Sequence, residues 1–368
     1  MLQEYDLKIS SAERGLCLHD LPLVLEENAV PTACLWHPAC GSDFEDKIIT
    51  CNSHFKLRQW NASSKECRCT TLGPTSGGPL MQLEPIATTK ESGTHAAQTE
   101  YLAYSTSTNL IGVIKLPLDG NPNKTVGVLA HPNKVACLVS SVDGSFIFSC
   151  GVFDEVMNIW TARLGAIAAA DLKGQGECEP YLSLMGGGKT GGFYKNLVDF
   201  FYFAQLRTLG EKMTMSRNLS AKVPLREIPN LMRALGYYPS ELEIMRMISE
   251  VKYTNFCGSG LLQDDITLGE FVRLYYNHRP LDSHPGDREL LHQYFGEICR
   301  LSSKADQDVD RMQWRYFEDL LRRRGEKIGT SEMRSCLHSV AGNGSLPLEV
   351  SASRLERDLL GVEEQELF

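Results

Sequence analysis

Lys222-Val-Pro-Leu-Arg-Glu-Ile-Pro-Asn-Leu-Met-Arg-Ala-Leu-Gly-Tyr-Tyr-Pro-Ser240 decides the reading of the second half of the chain, because Ile266-Thr-Leu-Gly-Glu-Phe271 repeats its opening further on. In each copy a β-branched residue, Val223 or Ile266, stands four positions before a glutamate, Glu227 or Glu270, and an amphipathic run follows. Ile228, Leu231, Met232 and Leu235 recur at helical spacing, with Gly236 placed to end that helix. Val272, Leu274 and Tyr275 follow Phe271 with the same logic. Between the copies, Ser240 and Glu243 form a capping-box pattern. It predicts a helix that buries Leu242, Ile244, Met245, Met247, Ile248 and Val251. Upstream, Leu197 to Leu206, dense in Phe200, Phe201 and Phe203, supplies a first helix.

The order helix, loop, helix, helix, loop, helix is that of an EF-hand pair. Val223 and Ile266 then fall at loop position 8, where the two loops pair as a small sheet, and Glu227 and Glu270 at position 12. Calcium also needs oxygen ligands at positions 1, 3 and 5 and a glycine at 6. The first loop offers Ser216, Asn218, Ser220 and Ala221 there, and the second Ser259, Leu261, Gln263 and Asp264. The early carboxylates and both glycines are missing. The expected cofactor is none, with calcium disfavoured, and no metal-ligating residue is singled out.

Around this core lie 368 residues, 42% hydrophobic and 23% charged, enough for two or three soluble domains. No run approaches a membrane span and no export signal is evident. Twelve cysteines occur without a CxxC pair, which favours reduced thiols in a cytosolic compartment. The net charge of -9 argues against nucleic acid or an acidic membrane surface as the main partner. The basic run Arg322-Arg-Arg324 reads as a solvated helix end.

From Tyr5 to about Ala170 the chain is a series of short β-rich runs broken by Gly, Asn, Asp and Pro, an all-β pattern. Thr32 to His37, Lys47 to Cys51 and Phe55 to Trp60 make one unit. Val135 to Ser140, Phe146 to Cys150 and Val156 to Trp160 make another. Between them Tyr101 to Tyr104 and Leu110 to Leu116 form a third, with Leu116 in the place of the tryptophan. This spacing brackets that of WD40 repeats. Ala130-His131 replaces the usual Gly-His, and Asn61 and Thr161 stand where Asp is usual. An antiparallel sandwich with coincidental tryptophans is the competing reading. Three blades cannot close a propeller, so a second chain is expected to complete it, with the strand near Tyr5 to Ser10 pairing across the junction; the alternative is a shorter, distorted sheet that packs onto its own EF-hand domain.

Seven glycines between Lys173 and Gly192 read as a linker. Within it Gly186-Gly-Gly-Lys-Thr190 looks like the end of a phosphate-binding loop, but Ser183 stands where that motif begins with glycine. Beyond the central pair, Leu290, Leu291, Tyr294, Phe295 and Ile298 line one further helix, and Tyr316, Phe317, Leu320 and Leu321 another. Thr330 caps a helix predicted to bury Met333, Cys336, Leu337 and Val340, and Leu355, Leu359 and Leu360 stripe the last. Asp306, Asp308 and Asp310 have the spacing of calcium ligands, but Arg311 replaces the glycine and Phe317 falls at position 12. Placing Met312 at position 8 instead removes all three from the ligand positions. A solvated acidic turn is the preferred reading. The final loop, Asn343 to Ser353, is poorer still.

Phe200-Phe-Tyr-Phe-Ala-Gln205, Val223 to Ser240 and Leu274-Tyr-Tyr-Asn-His-Arg-Pro280 resemble the WD-repeat cilia- and flagella-associated proteins of the calmodulin- and spoke-associated complex. Leu320 to Met333 resembles the joint between the third and fourth hands of calmodulin. The resemblance implies the carboxy-terminal part of such a protein, at the base of a radial spoke in the axoneme. The expected fold is multidomain β + α. A partial WD40 β-propeller of about three blades (1–171) leads through a glycine-rich linker (172–192) to a calmodulin-like all-α module of two EF-hand-like pairs (193–281 and 282–368). The implied function is a structural scaffold of the cilium or flagellum that anchors radial spokes on doublet microtubules and supports motility. A calcium-responsive sensor of beating is the alternative, and a nucleotide-binding enzyme the third reading. Other spoke-base proteins, the chain that completes the propeller and a helix in an EF-hand groove are the expected partners. No Ser-His-Asp order, HExxH motif or carboxylate pair points to catalysis, so no catalytic residue is proposed and the nine histidines read as structural.

Overall fold

The computed structural model describes residues 2–6, 16–21, 29–37, 47–88 apart from 63 and 65, 98–173, 176–209, 222–256, 260–281, 288–302, 311–324, 327–341 and 348–356. Residues 1–239 with 243–281 form one compact unit, and 240–242 with 282–368 a second. A boundary thus falls after Leu281, whereas none separates the β-rich region from the first helix pair.

The β-rich region is a succession of antiparallel meanders. The first sheet holds β3 (Pro31–Trp36), β4 (Lys47–Asn52), β5 (Lys56–Asn61) and β6 (Cys67–Leu72). The second holds β7 (Leu80–Thr88), β8 (Gln98–Thr106), β9 (Leu110–Lys115) and β10 (Thr125–Leu129). The third has only three strands: β11 (Val135–Ser140), β12 (Phe146–Gly151) and β13 (Met157–Thr161). Of the stretch Tyr5 to Ser10 expected to pair with another chain, Tyr5 and Asp6 lie in β1 (Leu2–Asp6), which pairs with β2 (Leu16–Leu21) in a two-stranded hairpin, and residues 7–10 lie outside the described residues.

Side-chain alternation explains the stacking. On β8, Leu102 and Tyr104 join Ile49, Cys51 and Leu57 of the first sheet, while Tyr101 and Ala103 face Val135, Leu138 and Ile147 of the third. The middle sheet is therefore apolar on both faces. The third sheet has no such neighbour on its far side among the described residues. Val139, Phe148 and Ile159 lie in register across it, and Val139 and Ile159 are 46% and 61% exposed.

The all-β expectation fails at its end, where helix α1 (Leu164–Lys173) follows β13 and Ile167 enters the core beside the third sheet. Apolar residues at Leu164, Ile167 and Ala170 have helical spacing, a signal hidden by the alanine run. The supposed linker is also packed. Residues Glu179–Leu184 make a short 3-10 helix, and Cys178, Tyr181 and Met185 are buried in the helical core. Glycine content suggested a tether, but Tyr181 and Met185, with the smaller Cys178 and the partly buried Leu182 and Leu184, supply enough apolar surface to fix the segment.

The first pair of helix–strand–helix units, called the helix pair below, has the four helices α2 (Gly192–Leu209), α3 (Ile228–Ala234), α4 (Glu241–Tyr253) and α5 (Leu268–His278). Gly236 ends α3 at φ 83°, in the left-handed region that suits glycine. Strands β14 (Lys222–Pro224) and β15 (Asp265–Thr267) pair antiparallel, with Val223 opposite Ile266 as the spacing predicts. Of the six residues expected inside α4, Ile244, Met247 and Val251 are buried, but Leu242 and Met245 are exposed. The apolar stripe is narrower than composition suggests.

The second unit repeats the pattern on a smaller core. Helices α6 (Arg288–Ser302) and α7 (Trp314–Arg323) flank β16 (Arg311–Gln313); α8 (Thr330–Ala341) and the short α9 (Ala352–Arg354) flank β17 (Glu349–Ser351). Met312 lies opposite Val350. Phe295, Cys299, Trp314 and Phe317 are buried, whereas Tyr294, Tyr316 and Cys336, expected inside, are exposed. The stripes of Leu337 and Val340 and of Leu359 and Leu360 lie outside the described side chains.

Candidate functional site

Pairing of Val223 with Ile266 and of Met312 with Val350 sets the frame in which a metal would be sought. In the second unit the residues four positions on are Tyr316 and Arg354, so neither place offers a carboxylate. The register is the one that removes Asp306, Asp308 and Asp310 from ligand positions; those three, like Ser216, Asn218, Ser220 and Ser259, lie outside the described residues. In the first pair the two glutamates are present, and each is already engaged. Glu227, 7% exposed, accepts from the Arg207 guanidinium of α2 and from Asn230 Nδ2 at 3.3 Å. Glu270 accepts from the backbone N–H of Thr267 at 2.9 Å, while Thr267 Oγ1 receives the Glu270 N–H, a complete capping box. Its carboxylate also receives the side-chain amide of Gln263. Among the described residues no group of three or more His, Cys, Asp or Glu is placed to hold a metal ion.

The helix pair is seated on the first sheet by polar groups that no short-range pattern announces. Lys56, 1% exposed, reaches from β5 to the end of α5. Its Nζ donates to the carbonyls of Tyr276, Asn277 and Arg279 at 3.4, 2.7 and 2.6 Å. These are terminal carbonyls without helical partners, at the negative end of the helix dipole. Asn277 continues the seam: its Oδ1 accepts from Leu72 N at 3.0 Å and its Nδ2 donates to Asp119 O at 3.2 Å. Gly120 is required beside it, because a Cβ there would lie 1.9 Å from Asn277 Oδ1. Glu250 of α4 accepts from Thr70 N at 3.2 Å and from the Cys69 thiol, and meets His278 Nε2 at 3.0 Å. Burial, with Glu250 beside it, pushes the Cys69 thiol well above its ordinary pKa, so it is protonated at neutral pH. Tyr181 of the supposed linker stacks on Tyr276 and donates to Asp119 O, and burial holds the Tyr276 phenol up at about 12.

A Ser-His-Asp trio, for which the sequence shows no signature, forms in the third sheet. His131 Nδ1 lies 2.6 Å from Asp154 Oδ2 and its Nε2 2.8 Å from Ser149 Oγ; Trp160 Nε1 donates to the same Oγ at 2.9 Å. Asp154 Oδ2 accepting from Nδ1–H leaves Nε2 to accept the Ser149 hydroxyl, so a hydrogen-bonded chain runs from Trp160 through Ser149 and His131 to Asp154 Oδ2, while Asp154 Oδ1 is buried with no hydrogen-bond partner among the described residues. The His131 hydrogen bond holds the Asp154 carboxyl below its ordinary range. Ser149 is fully buried, with its oxygen already accepting from indole, so the trio acts as a brace between strands and does not present a nucleophile. In the first sheet Trp60 Nε1 donates likewise to Thr50 Oγ1 at 2.8 Å. The Gly186–Thr190 stretch has no strand leading into it, and its Lys189 ammonium pairs with Glu179. The Met and aromatic side chains of these helices are the kind that line a groove for a partner helix, but Met232, Met247, Phe271, Tyr275 and Phe317 are buried in the protein's own cores, and of this set only Met245 is exposed.

Residues 192–360 match the family model of the CFAP251 C-terminal domain. Over nearly its whole length the chain is similar to curated proteins named cilia- and flagella-associated protein 251. It is 31% identical over 364 residues to that of Tetrahymena thermophila, covering 93% of this chain and 36% of the relative. It is 34% identical over 343 residues to that of Mus musculus, covering 93% and 25%, and 33% identical over 347 to that of Pongo abelii, covering 93% and 28%. The chain thus spans roughly a quarter to a third of the length of these relatives. Among solved structures, a chain of the mitotic checkpoint complex aligns with a TM-score of 0.28 and 15% identity, over 42% of this chain and 40% of that one, too distant a likeness to carry an argument.

Proposed function

We propose that this chain, a relative of cilia- and flagella-associated protein 251, is a metal-independent scaffold segment of the cilium or flagellum that helps anchor radial spokes on doublet microtubules and so supports beating. The ciliary part of the reading is supported by the names of the relatives. The scaffold part is carried by one observation: the helix pair and the first sheet are joined through buried Lys56, Asn277 and Glu250. A sensor must change the relation of its helices on binding calcium, whereas this seam ties α4 and α5 to a sheet, and both position-12 glutamates are occupied by the chain's own donors.

In the same reading the three sheets are degenerate WD-like blades and the helix–strand–helix units EF-hand-like hands without their ligands. The apolar far face of the third sheet, with Met157 and Ile159 60% and 61% exposed, supports a second polypeptide packing there among the spoke-base partners. Replacing the matching segment in a ciliated cell by one with Lys56→Met and Glu250→Ala tests the proposal. Loss of spokes in tomograms of the axoneme, with reduced beating, is expected. Full spoke occupancy and normal beating with the doubly substituted protein present would overturn it. The sensor reading is checked by calorimetric titration of the intact chain: a stoichiometric heat with Kd below ~10 μM favours it.

A further inference from the structure

We infer that the Gln263 side-chain amide takes the place of a divalent cation in the loop before α5 and holds that loop closed without metal. With Ile266 at position 8 of a calcium-loop frame, Gln263 falls at position 5, the Asp265 carbonyl at 7 and Glu270 at 12. Positions 7 and 12 supply a calcium ion with a backbone carbonyl and a bidentate carboxylate. Here Gln263 Nε2 lies 2.8 Å from Asp265 O and 3.2 Å from each of Glu270 Oε1 and Oε2. Three acceptors converge on one atom, and each lies within hydrogen-bond range of a donor. All three can only accept, so the group facing them must be the amide nitrogen. Asn255 Nδ2, 3.5 Å from Gln263 Oε1, fixes the same orientation from the other side.

The amide reproduces the convergence of a metal while remaining covalently attached, so the loop has no bound and free states to exchange. In the companion unit Glu227 is met by a full charge, the Arg207 guanidinium of α2. Gln263→Glu is isosteric and inverts the chemistry. A second carboxylate then faces Glu270 and the Asp265 carbonyl, so the loop repels itself until a cation enters.

The inference rests on the metal-independent scaffold reading, whose own test in cilia is separate, since it reads spokes and not melting. The intact chain and two variants are melted in chelator and in calcium at ~1 mM, where weak oxygen sites fill. Unsubstituted protein is expected to melt at the same temperature in both. Gln263→Glu should melt lower in chelator, by ~3–10 °C, and recover in calcium. Gln263→Met should melt lower in both. A rise for the unsubstituted chain on adding calcium would overturn the inference, as would a Gln263→Glu variant unchanged in chelator or lowered without recovery. Should Gln263→Glu fail to fold, Gln263→Met still decides: an unchanged melting temperature would overturn the inference and a lowered one supports it.

Discussion

Replacing Lys56 by methionine keeps the length of the side chain and removes only its charge and donors. The ammonium is 1% exposed and donates to three carbonyls at the end of α5, two of them within 2.7 Å. A hydrogen bond involving a charged group contributes about 1.5–3 kcal/mol. A cation at a partly buried helix C-terminus adds up to about 2 kcal/mol. The thioether recovers part of this by apolar packing, and the desolvation of the ammonium is relieved, so the sum of the separate contributions overstates the loss. Removing the donor leaves buried carbonyls unsatisfied at about 1–3 kcal/mol each, so a net loss of about 3–5 kcal/mol is expected. At about 2–4 °C per kcal/mol for a unit of this size, melting of the first unit should fall by ~6–20 °C. Tryptophan fluorescence reads the event, since Trp60 lies on the same strand as Lys56. Amide exchange in the last turn of α5 should quicken first, because those carbonyls anchor it. A change within about 0.5 kcal/mol, as at an ordinary surface site, would refute the claim that this lysine seats the helix pair on the sheet.

Three further outcomes are expected. Gly120→Ala forces φ +79° on a residue with a side chain and drives its Cβ to 1.9 Å from Asn277 Oδ1; a loss of about 2–4 kcal/mol in urea unfolding is expected. Trp160→Phe removes the donor to buried Ser149 and should cost about 1–2 kcal/mol beyond the change in packing, whereas the same substitution made together with Ser149→Ala should cost less than the sum. Asp154 is held below its ordinary range by His131, so its stabilising effect is complete above the unfolded carboxyl pKa of about 3.9 and is lost as pH falls through the lower folded value. Acid unfolding should therefore steepen below about pH 4, and Asp154→Asn should remove that part of the slope.

The repeated opening at Val223 and Ile266 by itself determined that two loops would pair and that helices would flank them, because strand pairing and helical stripes depend on period and spacing along the chain. The three β units, two of them ending on a tryptophan, were legible for the same reason, and so was the lack of early acidic residues in the first two loops, which is a matter of residue type alone. Several decisions belonged to tertiary structure. A buried lysine looks like any surface lysine until its carbonyl partners, more than two hundred positions away, are brought to it. A glycine-rich run reads as a tether until Tyr181 finds Tyr276. His131, Asp154 and Ser149 show no local order because they come from a loop, a turn and a strand that only the sheet draws together. Burial of Met247 and exposure of Met245 could not be separated by composition, since a helix buries only the face that a neighbour covers. The amide of Gln263 likewise reads as a missing ligand in the sequence, and becomes a replacement for the ligand's cation only when Asp265 and Glu270 turn their oxygens toward it.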